Sequence, residues 1–304
     1  MTDKRLVLVT GATGFVGSRL VKELLSRGKH LRLLARHPAS IKIQGAQIVE
    51  GDMLRPLTLP GAFHGVDTAY YLVHSMSAGR AGFERRDREA AENFSYAAEK
   101  AGVRRVIYLG GLGESGEGLS EHLTSRLEVA RILQQGGFAT TFLRAAVIIG
   151  AGSASFEMIR ALVDRLPIMI TPRWVSTRCQ PIAISNVISY LAGCMDSDQT
   201  SGQTFDIGGP EILTYREMME RFARIAGKKT FIVPVPLLTP TLSSYWVAMI
   251  TPVKPSVSMP LIEGLANEVV CRDNRIRDII PDRLISYDEA VRTALKDEAD
   301  KGRG

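Results

Sequence analysis

The sequence predicts an α/β fold in which a doubly wound parallel sheet carries a smaller C-terminal lobe. Two features predict it. Strand-like and helix-like patterns alternate from the first residues to about residue 145, as repeated βαβ units with right-handed crossovers do. Between the first strand and the first helix lies the glycine-rich run VTGATGFVGS, residues 9–18. Strand, glycine turn and helix in that order bring a dinucleotide pyrophosphate to a helix N-terminus. A length of 304 residues leaves room for a core domain plus a lobe, and 45% apolar against 23% charged residues is an ordinary globular balance.

Each element has its own warrant. Leu6-Val7-Leu8-Val9 is an apolar first strand, and positions 16, 20, 21, 24 and 25 fall on one face of a helix over residues 15–27. Gly28 ends that helix, and residues 31–35 read as the second strand. Residues 47–50 make a short third strand ending at Gly51-Asp52, and 69–73 form an apolar fourth strand of the kind buried on both faces. A helix over 84–100 turns Ala90, Ala91, Phe94, Ala97 and Ala98 inward and stops at Gly102. Strand five covers 106–109, a helix 125–135 is stopped by Gly136-Gly137, and 140–143 opens strand six. Tyr70, Tyr71 and Tyr108 are expected to pack against the helices.

The pattern then changes. Residues 156–165 look helical, 168–174 extended, 181–191 strand then helix, and 203–207 a last sheet strand. A helix over 215–226 and a final helix over 287–297 flank an apolar, proline-rich segment at 231–262. The expected division is a dinucleotide-binding domain over 1–150, completed by 178–210, and a substrate lobe over 211–304 with 151–177. The segment 231–262 carries six prolines and no proline-free run beyond eleven residues, where a spanning helix needs about twenty. No transmembrane segment is expected. The segment is lobe core, a lid over the cleft, or a surface for a protein partner.

The glycines have distinct tasks: Gly11 permits the tight turn, Gly14 lets backbone approach phosphate, and Gly17 lets the helix pack on the strand. Ser18 stands where a P-loop needs lysine. A net charge of +6 without a dense basic stripe argues against nucleic acid. Cys179, Cys194 and Cys271 are odd in number, widely spaced and lack a C-x-x-C pattern. Together with a first strand that begins within five residues, they predict a cytoplasmic protein with reduced thiols. No group of His, Cys and carboxylates has metal-ligand spacing.

Thr10-Gly11-Ala12-Thr13-Gly14-Phe15-Val16-Gly17, Gly51-Asp52, Gln180-Pro181-Ile182-Ala183-Ile184 and Gly208-Gly209-Pro210 before Leu213-Thr214-Tyr215 resemble the short-chain dehydrogenase/reductase superfamily in its atypical or extended branch. Tyr71-Leu72-Val73-His74-Ser75-Met76 and Ser153-Ala154-Ser155-Phe156-Glu157-Met158 are similar to bacterial NAD(P)-binding proteins described as nucleoside-diphosphate-sugar-epimerase-like or NmrA-like. The resemblance implies that Gly11, Thr13, Gly14, Phe15, Val16 and Gly17 hold the pyrophosphate. It places Asp52 and Met53 against the adenine and Val73, His74 and Ser75 on the nicotinamide side. At the end of strand two a carboxylate would accept bonds from a free ribose 2′-hydroxyl. Here the chain reads Ala35-Arg36-His37, and Arg36 suits a 2′-phosphate. The expected cofactor is NADP, with NAD the alternative.

The family's catalytic pair, Tyr-x-x-x-Lys on the helix after strand five, corresponds to His122-Leu123-Thr124-Ser125-Arg126. Its serine position falls in Leu109-Gly110-Gly111-Leu112. All three usual groups are absent. Either His122 acts as general acid with Arg126 at the ribose, or the protein binds cofactor without the usual chemistry. His74 is a second candidate proton donor. Ser153 and Ser155 are candidates for the pocket, Trp174 and Arg178 for holding an acidic or planar substrate, and Arg178 for lowering the pKa of Cys179. The two functions implied are an oxidoreductase acting on a small molecule with a hydrophobic part, such as a carbonyl, enone or quinone, and a non-catalytic NADP(H)-binding sensor or assembly factor.

Overall fold

Thirteen strands and nine helices make up the described part of a computed structural model, which covers residues 5–73, 82–113, 121–171, 173–234, 264–265 and 267–301. The first half runs β1 (Leu6–Thr10), α1 (Phe15–Ser26), β2 (His30–Ala35), β3 (Ala46–Glu50), α2 (Pro60–Phe63), β4 (Val66–Tyr71), α3 (Phe83–Lys100), β5 (Arg105–Gly111), α4 (Glu121–Gln134) and β6 (Ala139–Ala145). The second runs β7 (Ile148–Ile149), α5 (Ala154–Arg165), β8 (Ile168–Thr171), β9 (Arg178–Cys179), β10 (Ile182–Ala183), α6 (Ile184–Asp196), β11 (Thr204–Ile207), β12 (Leu213–Thr214), α7 (Tyr215–Ile225), β13 (Phe231–Pro234), α8 (Ile276–Ile279) and α9 (Tyr287–Lys301). Among the described residues no helix is long and apolar enough to cross a membrane.

Seven strands form one parallel sheet in the order β11-β6-β5-β4-β1-β2-β3. Strand order reverses between β1 and β4, and open α/β sheets take ligands in the crevice beyond the carboxyl ends at such a point. Alternation along each strand feeds two layers. On one side Tyr70 joins α1 residues Leu20, Val21 and Leu24 and α6 residues Val187, Leu191 and Cys194, and its hydroxyl donates to the Leu191 carbonyl at 2.9 Å. On the other side Tyr71 meets Phe94 and Tyr108, and Tyr108 stacks on Phe142 with ring centroids 5.0 Å apart. All three tyrosines are fully buried, as their strand positions led us to expect.

A third cluster lies beyond β6. It joins α5, α7 and α9 through Phe156, Leu162, Met218, Phe222, Tyr287 and Val291. Three two-stranded pieces knit it to the sheet: β7 with β10, β9 with β12, and β8 with β13.

Several boundaries differ from the sequence reading, each for a physical reason. Strand four is Val66–Tyr71 rather than 69–73, because the Thr10 hydroxyl takes over the backbone there. It donates to the Tyr70 carbonyl at 2.9 Å and accepts from the Leu72 N–H at 3.1 Å. The stretch read as extended over 168–174 pairs only to Thr171, then tightens into a 3-10 turn over Arg173–Ser176. Phe231–Pro234, the start of the proline-rich segment, is a strand in parallel register with β8. The remainder of that segment, 235–262, lies outside the described residues.

Candidate cofactor and substrate site

The turn after β1 is shaped by what it cannot hold. Gly11 has φ +67°, and a Cβ there would stand 2.5 Å from the Leu72 carbonyl oxygen. A Cβ on Gly17 would collide with the Gly11 carbonyl oxygen. The Gly14 N–H donates to that same carbonyl at 2.9 Å, closing the turn. Gly14 is the N-cap of α1 with no side-chain cap and no acidic residue in the first turn. The first-turn N–H groups and the positive helix end are therefore available to an anion. Thr13 and Gly14 are exposed at the mouth, while Phe15 and Val16 are half-buried behind them.

Phe15 is braced from two sides. Arg19 stacks over its ring at 4.5 Å and donates to the Phe15 and Ala151 carbonyls, both at 2.8 Å. A Cβ on Gly150 would stand 3.2 Å from the ring. The turn after β1 is thus tied to the loop that leads into α5.

At the end of β2, Arg36 is exposed. At the end of β3, the Gly51 N–H donates to the Ala35 carbonyl at 3.0 Å, and a Cβ on Gly51 would strike Leu34. Asp52 is half-buried, its Oδ1 accepting from the Leu54 N–H at 3.0 Å. Met53 buries its side chain in the α3 layer and offers backbone instead. Its carbonyl accepts from Asn93 Nδ2 at 2.7 Å, a bond from α3 that the sequence reading missed. Only a polar residue on an otherwise alanine-rich face signals it.

Val73 follows β4 and is half-buried; His74 and Ser75 lie outside the described residues. The backbone of His122 falls in the first turn of α4, which begins at Glu121, four residues before the predicted start; its side chain is outside the described set. One turn on, Arg126 is 6% exposed. The Tyr108 hydroxyl donates to the Arg126 carbonyl at 3.4 Å, and the neighbouring Ser125 donates to buried Asp87 at 3.3 Å. Burial pushes the Tyr71 hydroxyl well up and the Tyr108 hydroxyl up, with the Arg126 charge opposing it. Both tyrosines stay protonated and serve packing.

Other candidates resolve into structural roles. Ser153 caps α5, accepting from the Phe156 N–H at 3.1 Å and donating to the Ile148 carbonyl at 2.7 Å. Ser155 is half-buried in the first turn of that helix. Arg178 is exposed and grips Glu268 with two bonds, 2.8 and 3.0 Å. Cys179 points the other way into the lobe core, where burial pushes its thiol up to about 12. The expected lowering by Arg178 is overturned, because desolvation of the thiolate outweighs a cation already paired elsewhere. The side chain of Trp174 lies outside the described residues.

Comparison with known proteins gives the same picture. Residues 11–155 match the NAD(P)H-binding family. The chain is 26% identical over 252 residues to the divinyl chlorophyllide a 8-vinyl-reductase of Cucumis sativus, covering 76% of this chain and only 59% of that enzyme. It is 25% identical over 233 residues to the (4-alkanoyl-5-oxo-2,5-dihydrofuran-3-yl)methyl phosphate reductase of Streptomyces griseus, covering 73% of this chain and 74% of that one. The fold superposes on Citrobacter sp. triphenylmethane reductase complexed with NADP(H), with a TM-score of 0.75, 20% identity, and coverage of 95% of this chain and 99% of that one. The glycine turn with its open helix end and the sheet reversing beside it agree with these matches: residues 11–155 are similar to the NAD(P)H-binding family.

Proposed function

We propose that this protein is an NADPH-dependent reductase acting on a carbonyl, enone or quinone-like carbon of a small molecule with a hydrophobic part. The observation that carries the cofactor choice is the exposed guanidinium of Arg36 at the end of β2, where Ala35, Arg36 and His37 offer no carboxylate to a free 2′-hydroxyl. The crowded backbone at Gly11 and Gly17 fits a pyrophosphate approaching main chain directly. The cucumber and Streptomyces relatives, both named reductases, support reduction as the direction.

Bound NADPH supplies the hydride. The chain supplies the rest. N–H groups of Gly11, Thr13, Gly14, Phe15, Val16 and Gly17 hold the pyrophosphate, and Arg36 clasps the ribose phosphate. Asp52, with the Met53 backbone fixed by Asn93, borders the adenine, and Val73, His74 and Ser75 flank the nicotinamide. His122 provides the proton at its imidazole. Arg126 keeps a fixed positive charge one turn away, since a guanidinium cannot carry protons. Residues 211–304 with 151–177 form the substrate lobe over a Rossmann domain of residues 1–150 and 178–210. Three free thiols suit the cytoplasm.

The second reading is a non-catalytic NADP(H) sensor or assembly factor. Residues 109–112 present backbone where the family places its serine, and arginine stands at 126. Titration of NADPH and NADH by fluorescence, followed by NADPH oxidation with quinones, enones and hydrophobic aldehydes, separates the two. The enzyme reading expects turnover that His122→Ala abolishes; tight NADPH binding with no oxidation of any compound refutes it. Arg36→Ala is expected to weaken NADPH about tenfold or more while sparing NADH, from the loss of charge-assisted bonds. An unchanged preference refutes the assignment.

A further inference from the structure

Beyond the carboxyl ends of β5, β6 and β11 lies a cavity of about 200 Å³, walled by Leu112, Gly113, Arg144, Asp206, Glu268 and Arg272. Two acids and two cations line it, yet their charges are not equally available. The Asp206 side chain is 1% exposed. Its Oδ1 takes Arg144 Nε at 2.7 Å and Nη2 at 2.6 Å, and its Oδ2 takes the backbone N–H groups of Arg272 at 2.9 Å and Asp273 at 3.2 Å. Glu268 is held on the outside by both bonds from Arg178. The acceptor positions of both carboxylates are thus occupied by partners. Arg144 gives Asp206 one edge of its guanidinium, and its Nη1 has no partner among the described residues.

We propose that this cavity receives an anionic head group, a carboxylate or a phosphate, belonging to the substrate of the adjoining site. The inference rests on the reductase reading for what lies next door, and on Arg144 and its buried brace for the charge. A guanidinium locked by a buried carboxylate is pre-oriented, so binding an anion costs it little side-chain entropy. The size also fits. A water occupies about 30 Å³ of liquid, so the space takes one carboxylate or phosphate with a few waters. Leu112 and Gly113 continue directly from β5, whose Gly110 and Gly111 lie at its carboxyl end. A head group anchored on Arg144 therefore leaves the rest of the molecule pointing toward the crevice beyond β4 and β1.

The test is a ligand-observed NMR titration of the full chain with hexanoate, hexyl phosphate and hexanol, with and without NADPH. At least one anion is expected to bind roughly tenfold tighter than hexanol, with the margin shrinking as salt rises. A stronger response to hexyl phosphate identifies a phosphate head group, and a stronger response to hexanoate a carboxylate. Arg144→Gln is expected to bring the anions down to the level of hexanol. Because that change strands a buried carboxylate, Arg144→Gln/Asp206→Asn removes both charges together and keeps the comparison in a folded protein, verified by its thermal transition. Equal binding of the three probes by the wild type, or an anion preference that survives in the double variant, overturns the proposal. Failure of NADPH to bind while the anion preference persists overturns the cofactor reading alone and supports this one.

Discussion

Single residues decide how tightly the turn after β1 can close. A methyl on Gly17 would overlap the Gly11 carbonyl oxygen, whereas one on Gly14 would sit 3.2 Å from it, a gap that small shifts can relieve. Gly17→Ala is therefore expected to cost about 1–3 kcal/mol of stability and to weaken NADPH, with Gly14→Ala clearly milder in both. Thermal unfolding and a fluorescence titration read the two effects, and equal losses would contradict the packing argument. The thiols make a second residue-scale case. Burial pushes Cys179 and Cys271 up to about 12 and Cys194 up to about 11. The thiolate is the reactive form, so iodoacetamide at pH 8 is expected to label the folded chain far more slowly than the denatured one. Rapid native labelling of Cys179 would revive a redox role for it.

Between elements, side chains far apart in sequence do the joining. Arg160 on α5 bridges Glu157 at 2.6 Å and Glu298 on α9 at 2.7 Å. Desolvation, then the nearby Glu157, raise the Glu298 carboxyl from 4.5 to about 7. The folded chain therefore holds a proton that the unfolded chain has released between those values. That contribution to stability is complete below pH 4.5 and disappears as pH rises through about 7. Relative to Glu298→Gln, the wild type is expected to lose melting temperature between about pH 4.5 and 7; a constant gap across that range would contradict it. This joining also explains what the sequence could and could not reveal. Strands, helices and the glycine turn after β1 were legible because periodicity and glycine spacing are local signals. The end of β4 was not, since the Thr10 hydroxyl replaces a backbone ladder bond and leaves no trace in periodicity. Nor was the β8–β13 pair, which matches Ile168 with Phe231, nor the meeting of Arg144 with Asp206, 62 residues apart. Asn93 shows its task only beside the Met53 carbonyl.

For the whole molecule, a cofactor seated on α1, as proposed, would stabilise every layer packed against that helix. NADPH at a hundred times its dissociation constant is expected to add about 2.7 kcal/mol to unfolding, and NADH at the same concentration less; matched shifts would argue against Arg36 as the discriminator. The order of the sheet carries one more consequence, for biosynthesis. The segment that contains the cofactor turn ends near residue 155, yet α6, which covers α1, and β11, which covers the edge of β6, are made only with residues 184–207. As the chain leaves the ribosome, the nascent half-sheet has an uncovered apolar helix face and an open strand edge until residues 184–207 have been translated. Open edges recruit other strands. A fragment stopped at residue 155 is therefore expected to aggregate, and the nascent chain to need shelter by a holding chaperone over the interval in which α5 and its neighbours are being made.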